Sequence, residues 1–337
     1  MNLPATRAQP TLAQRVFHAL ADGAVHSGEQ LAAEQAVSRS AIWKAVGVLQ
    51  TLGVTIEAAP HRGYRLASPA TPLAAERILE RLSPAVRARV READVAWALG
   101  STNDALLARS PPPVGQVDFL AAEYQTAGRG RRARPWFAPP GGALCLSLGW
   151  SFAALPPGAA ALSLAVGVCA LRALATFGPL PVGVQWPNDL VAQGRKLGGI
   201  LIELRGESAG PAFIVIGLGV NCALGAALTQ QVRAAGTEPT DLATLGLAPC
   251  DRNRLAAALI DEIVGGVLEF AHSGLAPFAA AWGAADALAG QVVTVTTPSA
   301  EYVGHARGID ADGALCVQGI QGLQRFNSGE VSVRVQA

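Results

Sequence analysis

Lysine is almost absent from this chain of 337 residues. Of its 26 basic side chains, 24 are arginine and only two, Lys44 and Lys196, are lysine. Charged residues make up 15% of the sequence and the formal net charge is +1, which excludes a strongly basic nucleic-acid coat and an acidic tail. Because a compact ammonium does what a planar guanidinium cannot, each lysine is a candidate functional residue. Chance retention is the alternative.

Cysteine is also scarce, and the positions of the cysteines in the sequence do not suggest pairs. The five cysteines are odd in number, contain no CxxC spacing and lie far apart, at Cys145, Cys169, Cys222, Cys250 and Cys316. This pattern argues against a disulfide framework and against a zinc site, and it predicts reduced thiols in a cytoplasmic protein. The segment from Met1 to Gln14 lacks the apolar stretch of a signal peptide. We therefore expect no export signal and no protein-bound metal centre.

No hydrophobic run is long enough for a membrane span. The one long uncharged segment, Pro135 to Leu171, is interrupted by Pro-Pro and Gly-Gly pairs at 139–142 and 156–157. The pieces between them are too short to cross about 30 Å of hydrocarbon. They predict a buried strand and a buried helix instead.

The first 68 residues have the pattern of a winged helix-turn-helix. Apolar residues at helical spacing predict a first helix, Ser27 and Gln30 form a capping box at the start of a second, and Ser38 caps a third. The predicted inner face of the third helix is Ile42, Ala45, Val46, Leu49 and Leu52. A β-hairpin wing follows, with strands at 54–56 and 64–66 and a turn at 60–63.

The third helix leaves a polar outer face, as a recognition helix in a DNA major groove does. This part of the chain has six Lys/Arg and four Asp/Glu, hence a net charge of +2. Protein contacts are the alternative use of such a fold, but basic residues stand where phosphate contacts are expected. The predicted DNA-binding residues are Arg39, Ser40, Trp43, Lys44, Arg62 and Arg65.

The remainder predicts two further domains, at 69–289 and 290–337, after a linker at 67–72. In the central one we expect strands at 119–124, 143–149, 182–186, 195–203 and 213–221, with a turn at 190–194 and helices at 73–82, 105–108, 159–175, 251–272 and 275–288. The last part predicts strands at 291–296, 302–309, 314–318 and 330–335, a small SH3-like β-barrel. Hairpin-linked strands with helices gathered elsewhere predict an α+β fold.

An arginine-rich loop, Gly128-Arg129-Gly130-Arg131-Arg132, connects two of the predicted strands. Guanidinium groups bind phosphate or carboxylate through two parallel hydrogen bonds, and glycine lets the backbone approach a ligand. Trp136, just downstream, offers a flat apolar face that suits an adenine ring. The alternative is a solvated loop, or an RGG-like segment that holds nucleic acid loosely.

Two other motifs allow a structural and a functional interpretation. Ser101, Thr102 and Asn103 precede a short helix, where they could cap it or bind a neutral polar ligand. The segment GLGVN at 217–221 is similar to a dinucleotide fingerprint, but it lacks the third glycine and the following helix. We therefore discount nucleotide binding by that segment.

Four motifs together resemble the biotin protein ligases: GSTN at 100–103, EYQTAGRGRR at 123–132, WPND at 186–189 and RKLGGILIE at 195–203. The winged helix resembles that of the bifunctional members, which also repress the biotin operon. The resemblance covers the chain from about Leu12 to Arg334. It implies an N-terminal winged helix-turn-helix, a central mixed-sheet domain that binds biotin and ATP and resembles class II synthetases, and the C-terminal barrel.

The resemblance also implies site residues, carried over position by position. Biotin would be bound by Ser101, Thr102, Asn103, Gln125, Arg129, Gly130, Arg131 and Lys196, of which Arg129, Arg131 and Lys196 would also be catalytic. The nucleotide would be bound by Arg132, Trp136, Asn188, Asp189 and Arg334. The implied cofactors are ATP and Mg²⁺. The implied partners are the biotin carboxyl carrier protein of acetyl-CoA carboxylase, operator DNA and, with the adenylate bound, a second copy of the chain.

The chemistry agrees with this set of residues. Joining a carboxylate to ATP brings two anions together, so the site must supply positive charge to the transition state. Such a reaction needs no side-chain nucleophile, and the sequence has no Ser-His-Asp or Cys-His signature.

Two positions depart from the family pattern. Gln185 replaces a lysine that often precedes WPND, so any electrostatic role there is absent or has moved. The segment Ala223 to Thr237, expected to be a loop that folds over the adenylate, is rich in alanine and glycine and lacks an aromatic residue. The alternatives to a ligase that is also a repressor are a catalytically silent biotin sensor and a related ligase for lipoate.

Overall fold

The computed structural model describes residues 9–59, 62–206, 211–328 and 331–335. Its helices are α1 (Leu12–Leu20), α2 (Gly28–Glu34), α3 (Arg39–Thr51), α4 (Ala75–Leu79), α5 (Pro84–Arg87), α6 (Thr102–Leu107), α7 (Leu162–Ala175), α8 (Ala226–Ala234), α9 (Arg252–Ser273) and α10 (Ala276–Ala284). None of the helices in these ranges has both the length and the apolar character of a membrane span.

Its strands form three sheets. They are β1 (Ile56–Ala59), β2 (Gly63–Leu66), β3 (Val90–Leu99), β4 (Val117–Gln125), β5 (Ala143–Phe152), β6 (Val182–Gln185), β7 (Asp189–Ala192), β8 (Arg195–Gly206), β9 (Ala212–Asn221), β10 (Val292–Thr296), β11 (Glu301–Ile309), β12 (Leu315–Gly319), β13 (Gly322–Phe326) and β14 (Ser332–Val335). The hairpin β1–β2, a central sheet of order β3-β4-β5-β9-β8-β7-β6 and a terminal sheet of order β13-β12-β11-β10-β14 result.

The first three helices and the hairpin β1–β2 pack around their own apolar core, as the winged helix-turn-helix pattern predicts. Ser27 and Ser38 cap α2 and α3 by accepting from the backbone N–H three residues on. The other half of the predicted capping box is wrong, because the Gln30 amide donates to Glu34 at 2.9 Å. The wing begins later than predicted, at Ile56. Residues 60 and 61 of its predicted turn lie outside the described residues.

The central sheet is mixed, with β3 and β4 parallel and the other neighbours antiparallel. Because side chains alternate along β4, Phe119 and Ala121 belong to the large core with α7 and α9. Leu120 points the other way and meets Leu106 of α6. The helices therefore cover the two faces unequally, and the thinly covered face carries α6.

Five elements differ from the sequence-based prediction. Strands β3 and β13 and helices α5 and α8 were not predicted, and the turn expected at 190–194 contains strand β7. The turn itself consists of Gln193 and Gly194, both with positive φ, which suits a tight hairpin. Leu190 and Val191 are buried between β6 and β8, and this burial explains the extra strand.

The terminal sheet shares the large core of the central domain, whereas the N-terminal unit does not. Trp186, buried at the end of β6, donates its indole N–H to the carbonyl oxygen of Gly313 at 3.0 Å. The predicted domain limits of 1–68, 69–289 and 290–337 stay predictions. Only the first limit separates two independent cores.

A buried ion pair holds the linker between the N-terminal unit and the central domain. Arg252, the first residue of α9, donates to Glu123 of β4 at 2.7 Å, and both side chains are buried. Arg252 also donates to the carbonyl oxygen of Thr71 at 2.9 Å, and Glu123 accepts the backbone N–H of Leu73 at 2.6 Å. Asn253 makes two more hydrogen bonds to the same linker. Charged and polar groups of the central domain thus fix the path of the linker.

Aromatic side chains join the same two units. The rings of Phe17 and Trp97 have centroids 5.4 Å apart, and Trp97 meets Tyr124 edge-on at 5.6 Å. We call this aromatic contact between the two units the interdomain seam. Burial at the seam lowers the pKa of His18 below its usual value. A Cβ added to Gly141 would lie 2.9 Å from the Phe17 ring, so the seam is closely packed.

Replacing Arg252 by methionine should lower the free energy of unfolding by about 3–5 kcal/mol, because Glu123 would stay buried without a cation. Urea unfolding followed by circular dichroism measures this loss. Arg81→Met is the matched control, since Arg81 pairs with Asp251 at 3.2 Å near the surface and should lose no more than about 1 kcal/mol. Equal losses in the two variants would contradict the role given to the buried pair.

Candidate active site

A cavity of about 190 Å³ lies beneath the arginine loop, over β8 and β9. Twelve of the predicted ligand-binding residues line it: Ser101, Thr102, Asn103, Gln125, Arg129, Gly130, Arg131, Arg132, Trp136, Asn188, Asp189 and Lys196. Arg334 is not among the residues that line it, and its predicted contact with the nucleotide stays a prediction. The alternation of β14 explains the difference, because Val333 faces the cavity and Arg334 is exposed on the strand.

The biotin end predicted from the sequence has a buried polar floor. Gln125 Oε1 accepts the backbone N–H of Thr102 at 2.7 Å and lies 3.1 Å from its hydroxyl. Ser147 of β5, fully buried, lies 2.7 Å from the Thr102 hydroxyl and 2.6 Å from Asn103 Oδ1. Ser101 caps α6 by accepting from Asp104 and keeps its own hydroxyl proton as a donor. Both interpretations of the Ser-Thr-Asn cluster thus hold at once, because one residue caps while its neighbours line the cavity.

Asn103 uses nearly all of its hydrogen-bonding capacity within the protein. Its amide nitrogen donates to the Leu201 carbonyl at 3.2 Å and to Glu203 Oε2 at 2.8 Å, while its oxygen accepts from Ser147. One acceptor site on Oδ1 remains for a ligand. A Cβ on Gly217 would lie 2.2 Å from that oxygen, so the amide occupies the space a side chain would fill.

The arginine loop closes on itself as a small hairpin. Gly130 donates its N–H to the Arg134 carbonyl at 2.8 Å, and Trp136 donates to the Gly128 carbonyl at 2.8 Å. Arg132 and Ala133 at the tip have φ of 56° and 55°, a left-handed conformation that costs non-glycine residues about 1–2 kcal/mol each. The loop is therefore a strained structure held from outside.

Arg129 and Arg131 hold the loop on opposite sides of the cavity. Arg129 forms ion pairs with Glu203 at 2.9 Å and with Asp104, and the hydrogen bond to Asp104 is the main cause that raises its pKa. Arg131 donates to Asn188 at 3.4 Å and to a carbonyl oxygen of the terminal domain. Burial, and then the nearby charge of Arg132, lowers the pKa of Arg131.

Lys196, near the start of β8, is one of the residues that line the cavity. Its ammonium donates to Asp189 Oδ1 at 2.7 Å, and its side chain is less than one-third exposed. Its backbone N–H donates to Glu238 at 2.8 Å and its carbonyl accepts from Thr240 at 2.9 Å. Gln185, the departure from the family pattern, lies in the lining beside Asp189 on the neighbouring strand. Lys196 is the lysine that the composition of the chain singled out as a candidate.

Trp136 forms an apolar wall of the cavity, at the end where the sequence predicts the nucleotide. A Cβ on Gly219 would lie 2.4 Å from its ring, so the indole lies directly on the backbone of β9. Its buried Nε1 has no hydrogen-bond partner among the described residues. Gly217 and Gly219 of the GLGVN segment thus let Asn103 and Trp136 pack closely against β9. This packing role agrees with the prediction that the segment is not a dinucleotide fingerprint.

The segment from Ala223 to Thr237, predicted as a loop, contains helix α8. Its alanine and glutamine residues favour a helix, and this propensity was underestimated because the segment is also rich in glycine. Val232 and Thr237 line the cavity from this side. The chain then returns through Glu238 to Thr240 along the backbone of Lys196.

On the N-terminal unit, the predicted DNA-binding residues are all exposed. Arg39, Ser40, Trp43 and Lys44 lie on the outer face of α3, and Trp43 is 67% exposed. Arg62 and Arg65 are exposed on the wing. Arg39 pairs with Glu29 at 2.9 Å and Arg65 pairs with Glu57 at 2.6 Å, which reduces the positive charge offered to DNA.

Sequence reasoning missed three contributors to the site: Ser147, Glu203 and the glycine pair in β9. Glu203 ends the RKLGGILIE motif, so its position was visible although its contacts were not. Taken together, a polar floor, a lysine and a loop of arginines define an enzyme site for a ligand with a neutral polar part and anionic groups. The helix-turn-helix unit adds a nucleic-acid-binding fold.

Comparison with known proteins agrees with this description. The model of the Biotin/lipoate A/B protein ligase family matches residues 101–221, that of the Biotin protein ligase C terminal domain matches 289–334, and an HTH domain model matches 14–65. The chain is 38% identical over 327 residues to the bifunctional ligase/repressor BirA of Escherichia coli (strain K12), covering 96% of this chain and 98% of that protein.

A second relative supports the same assignment, and a solved structure shows the same fold. The biotin–[acetyl-CoA-carboxylase] ligase of Mycobacterium tuberculosis is 38% identical over 234 residues, covering 67% of this chain and 83% of that protein. A biotin protein ligase from Aquifex aeolicus, solved with biotin and ATP, has the same fold, with a TM-score of 0.62 at 23% identity over 72% of this chain and 98% of that one. The chain belongs to the biotin protein ligase family.

Proposed function

We propose that this protein activates biotin with ATP to biotinyl-5′-AMP and transfers the biotinyl group to a lysine of the biotin carboxyl carrier protein of acetyl-CoA carboxylase. The observation that carries the proposal is one cavity in which a polar floor, the arginine loop and Lys196 meet. The relatives named as biotin ligases support it. Cysteines without disulfide partners are consistent with a cytoplasmic location.

The floor would bind the neutral end of biotin. Ser101 and Gln125 line the cavity, and Thr102 is held between Gln125 and Ser147. Such a set of buried groups would discriminate against a ligand that lacks matching polar atoms, because unpaired buried groups are costly. Asn103 would mainly hold this arrangement in place.

The charged groups would then serve two steps. In the first, a biotin carboxylate oxygen attacks the α-phosphorus of ATP and pyrophosphate leaves. Lys196 would lie between the two anions, with Arg131 and Arg132 on the phosphate side and Trp136 and Asn188 beside the nucleotide. In the second, the carrier lysine amine attacks the acyl carbon, and AMP leaves with the electrons of the broken bond.

Magnesium would accompany the nucleotide. Among the described residues no group of three or more His, Cys, Asp or Glu side chains is suited to hold a metal, and Asp189 is the one carboxylate in the described lining. This fits Mg²⁺, which is commonly bound through one carboxylate and substrate phosphates. When bound it would neutralise charge on the phosphates.

Pyrophosphate exchange into ATP tests the enzyme. We expect exchange with biotin, little or none with lipoate, and subsequent labelling of a purified carrier domain. Exchange with lipoate alone would favour the related lipoate ligase. Binding of biotin without exchange or transfer would favour a catalytically silent sensor and would contradict the proposed activity.

Lys196→Ala should slow adenylation by about 10²- to 10³-fold, the effect of losing a charge-assisted contact in the transition state. Lys196→Arg should also be poor, because a planar guanidinium cannot replace a point charge between two anions. Single-turnover formation of the adenylate measures both. The matched control is Lys44→Arg, which should adenylate biotin at the wild-type rate. Near-normal adenylation by Lys196→Arg would show that the lysine is incidental.

The same chain would also repress transcription of biotin synthesis genes, with biotinyl-5′-AMP as the corepressor. The HTH match at 14–65, the exposed face of α3 and the relative named as a ligase/repressor support this. Dimerisation with the adenylate bound would place two winged helices on one two-fold axis, so that they contact two half-sites.

Operator binding should strengthen when both biotin and ATP are present. A monomer whose N-terminal unit has a net charge of only +2 should bind weakly and lose affinity as salt rises. Titration of a palindromic promoter fragment with protein alone, with biotin, and with biotin plus ATP, at two salt concentrations, measures this. By linkage, DNA must tighten adenylate retention by the same factor. Three identical curves would refute biotin-responsive repression while leaving the ligase intact.

A further inference from the structure

The arginine loop is tied to the biotin end of the cavity by Arg129. Its guanidinium donates to Glu203 Oε1 at 2.9 Å and to Asp104, and both carboxylates belong to regular structure, β8 and α6. Arg129 is 31% exposed and Glu203 is 22% exposed, so this ion pair is only partly screened by water. The contact joins a strained hairpin to the rigid part of the domain.

The charges around Arg129 argue against a direct role in binding an anion. One guanidinium faces two carboxylates, so the group has a net charge of −1. Lys196 faces the single carboxylate of Asp189, a net charge of zero. A ligand phosphate or carboxylate approaching Arg129 would meet both acidic side chains at close range, and like charges so close repel strongly.

Glu203 is itself held in position by Asn103, a residue of the polar floor. Its Oε2 accepts from the Asn103 amide nitrogen at 2.8 Å, and Asn103 is buried in the space left by Gly217. The chain of contacts therefore runs from the polar floor through Asn103 and Glu203 to Arg129 and the loop. A change in the floor would reach the loop through Glu203 and also through Asp104, which follows Asn103 on α6 and pairs with the same guanidinium.

We propose that Glu203 and Arg129 act as a pair of positioning residues that hold the arginine loop closed over the bound adenylate. The inference rests on the proposed function of the cavity and deepens it. Arg129 then contributes by fastening the loop, whereas Lys196 and Arg131 supply the positive charge that meets the anions. This differs from the catalytic role that the family resemblance implied for Arg129.

A double-mutant cycle in the unliganded full-length protein tests the fastening without using any activity. Trypsin cleavage after Arg132 reports loop opening, since this residue remains in every variant. Glu203→Gln should speed cleavage about fivefold, the effect of losing a partly exposed ion pair, and Arg129→Gln by at least as much, because it also loses the pair with Asp104. The double variant should be no faster than Arg129→Gln alone.

The matched control is Glu92→Gln. Arg109 lies between Glu92 at 3.3 Å and Asp94 at 2.7 Å, a similar arrangement of one arginine and two carboxylates away from the loop. This variant should leave loop cleavage unchanged. If Glu203→Gln lowers the melting temperature so far that global unfolding contributes, Glu203→Asp, which keeps a carboxylate but shortens its reach to Arg129, takes its place in the cycle.

Adenylate retention is the second measurement. Loss of biotinyl-5′-AMP from the protein should be about fivefold faster in both single variants and in the double one, with a raised KM for biotin and little change in kcat. Unchanged cleavage in Glu203→Gln, tighter ligand binding by it, or additive effects in the double variant would overturn the proposal. A protein that makes no adenylate would refute the proposed function, while the cleavage assay would still decide whether the pair fastens the loop.

Discussion

Three consecutive residues at the end of β4 meet three different parts of the molecule. Glu123 holds the linker through Arg252, Tyr124 packs on Trp97 at the seam with the N-terminal unit, and Gln125 orients Thr102 in the cavity. Because the three residues are consecutive in one strand, a shift of that strand would move all three contacts together. The linker, the interdomain seam and the ligand site therefore share one rigid element. A ligand that moves the end of β4 acts on both connections to the DNA-binding unit.

Two cations of the site, Lys196 and Arg129, are paired with carboxylates before any ligand arrives. Lys196 has Asp189, and Arg129 has Glu203 and Asp104. Partly buried charges are costly when unpaired, so a cavity built for two anions needs such partners in its empty state. An entering carboxylate or phosphate must compete with them. The pairing thereby favours a ligand whose negative charge lies near Lys196, because Lys196 faces one carboxylate whereas Arg129 faces two.

The sequence predicted the cavity lining well because its residues lie in short contiguous motifs. Ser101 to Asn103, Arg129 to Trp136 and Asn188 to Asp189 were predicted together and line one cavity. The contacts of Glu203 and Ser147 were not predicted. They join residues about 45 to 100 positions apart in the chain, and a local sequence pattern does not predict which distant residues come into contact. Strand β3 was missed for a related reason: it is fixed by pairing with β4 at an edge. That Val333 and not Arg334 faces the cavity could not be predicted, because strand alternation depends on a register the sequence does not specify.

Strand β9 shows how function limits stability in this fold. It lies in the middle of the central sheet, between β5 and β8, where a glycine weakens a strand because it adds backbone entropy to the unfolded chain and packs no side chain. Yet a Cβ at Gly217 would lie 2.2 Å from Asn103, and one at Gly219 would lie 2.4 Å from Trp136. The space these glycines leave admits the amide that supports Glu203 and the indole that walls the nucleotide end. A side chain at either position would collide with that amide or that indole, so the form of the cavity depends on two glycines that each cost the strand some stability.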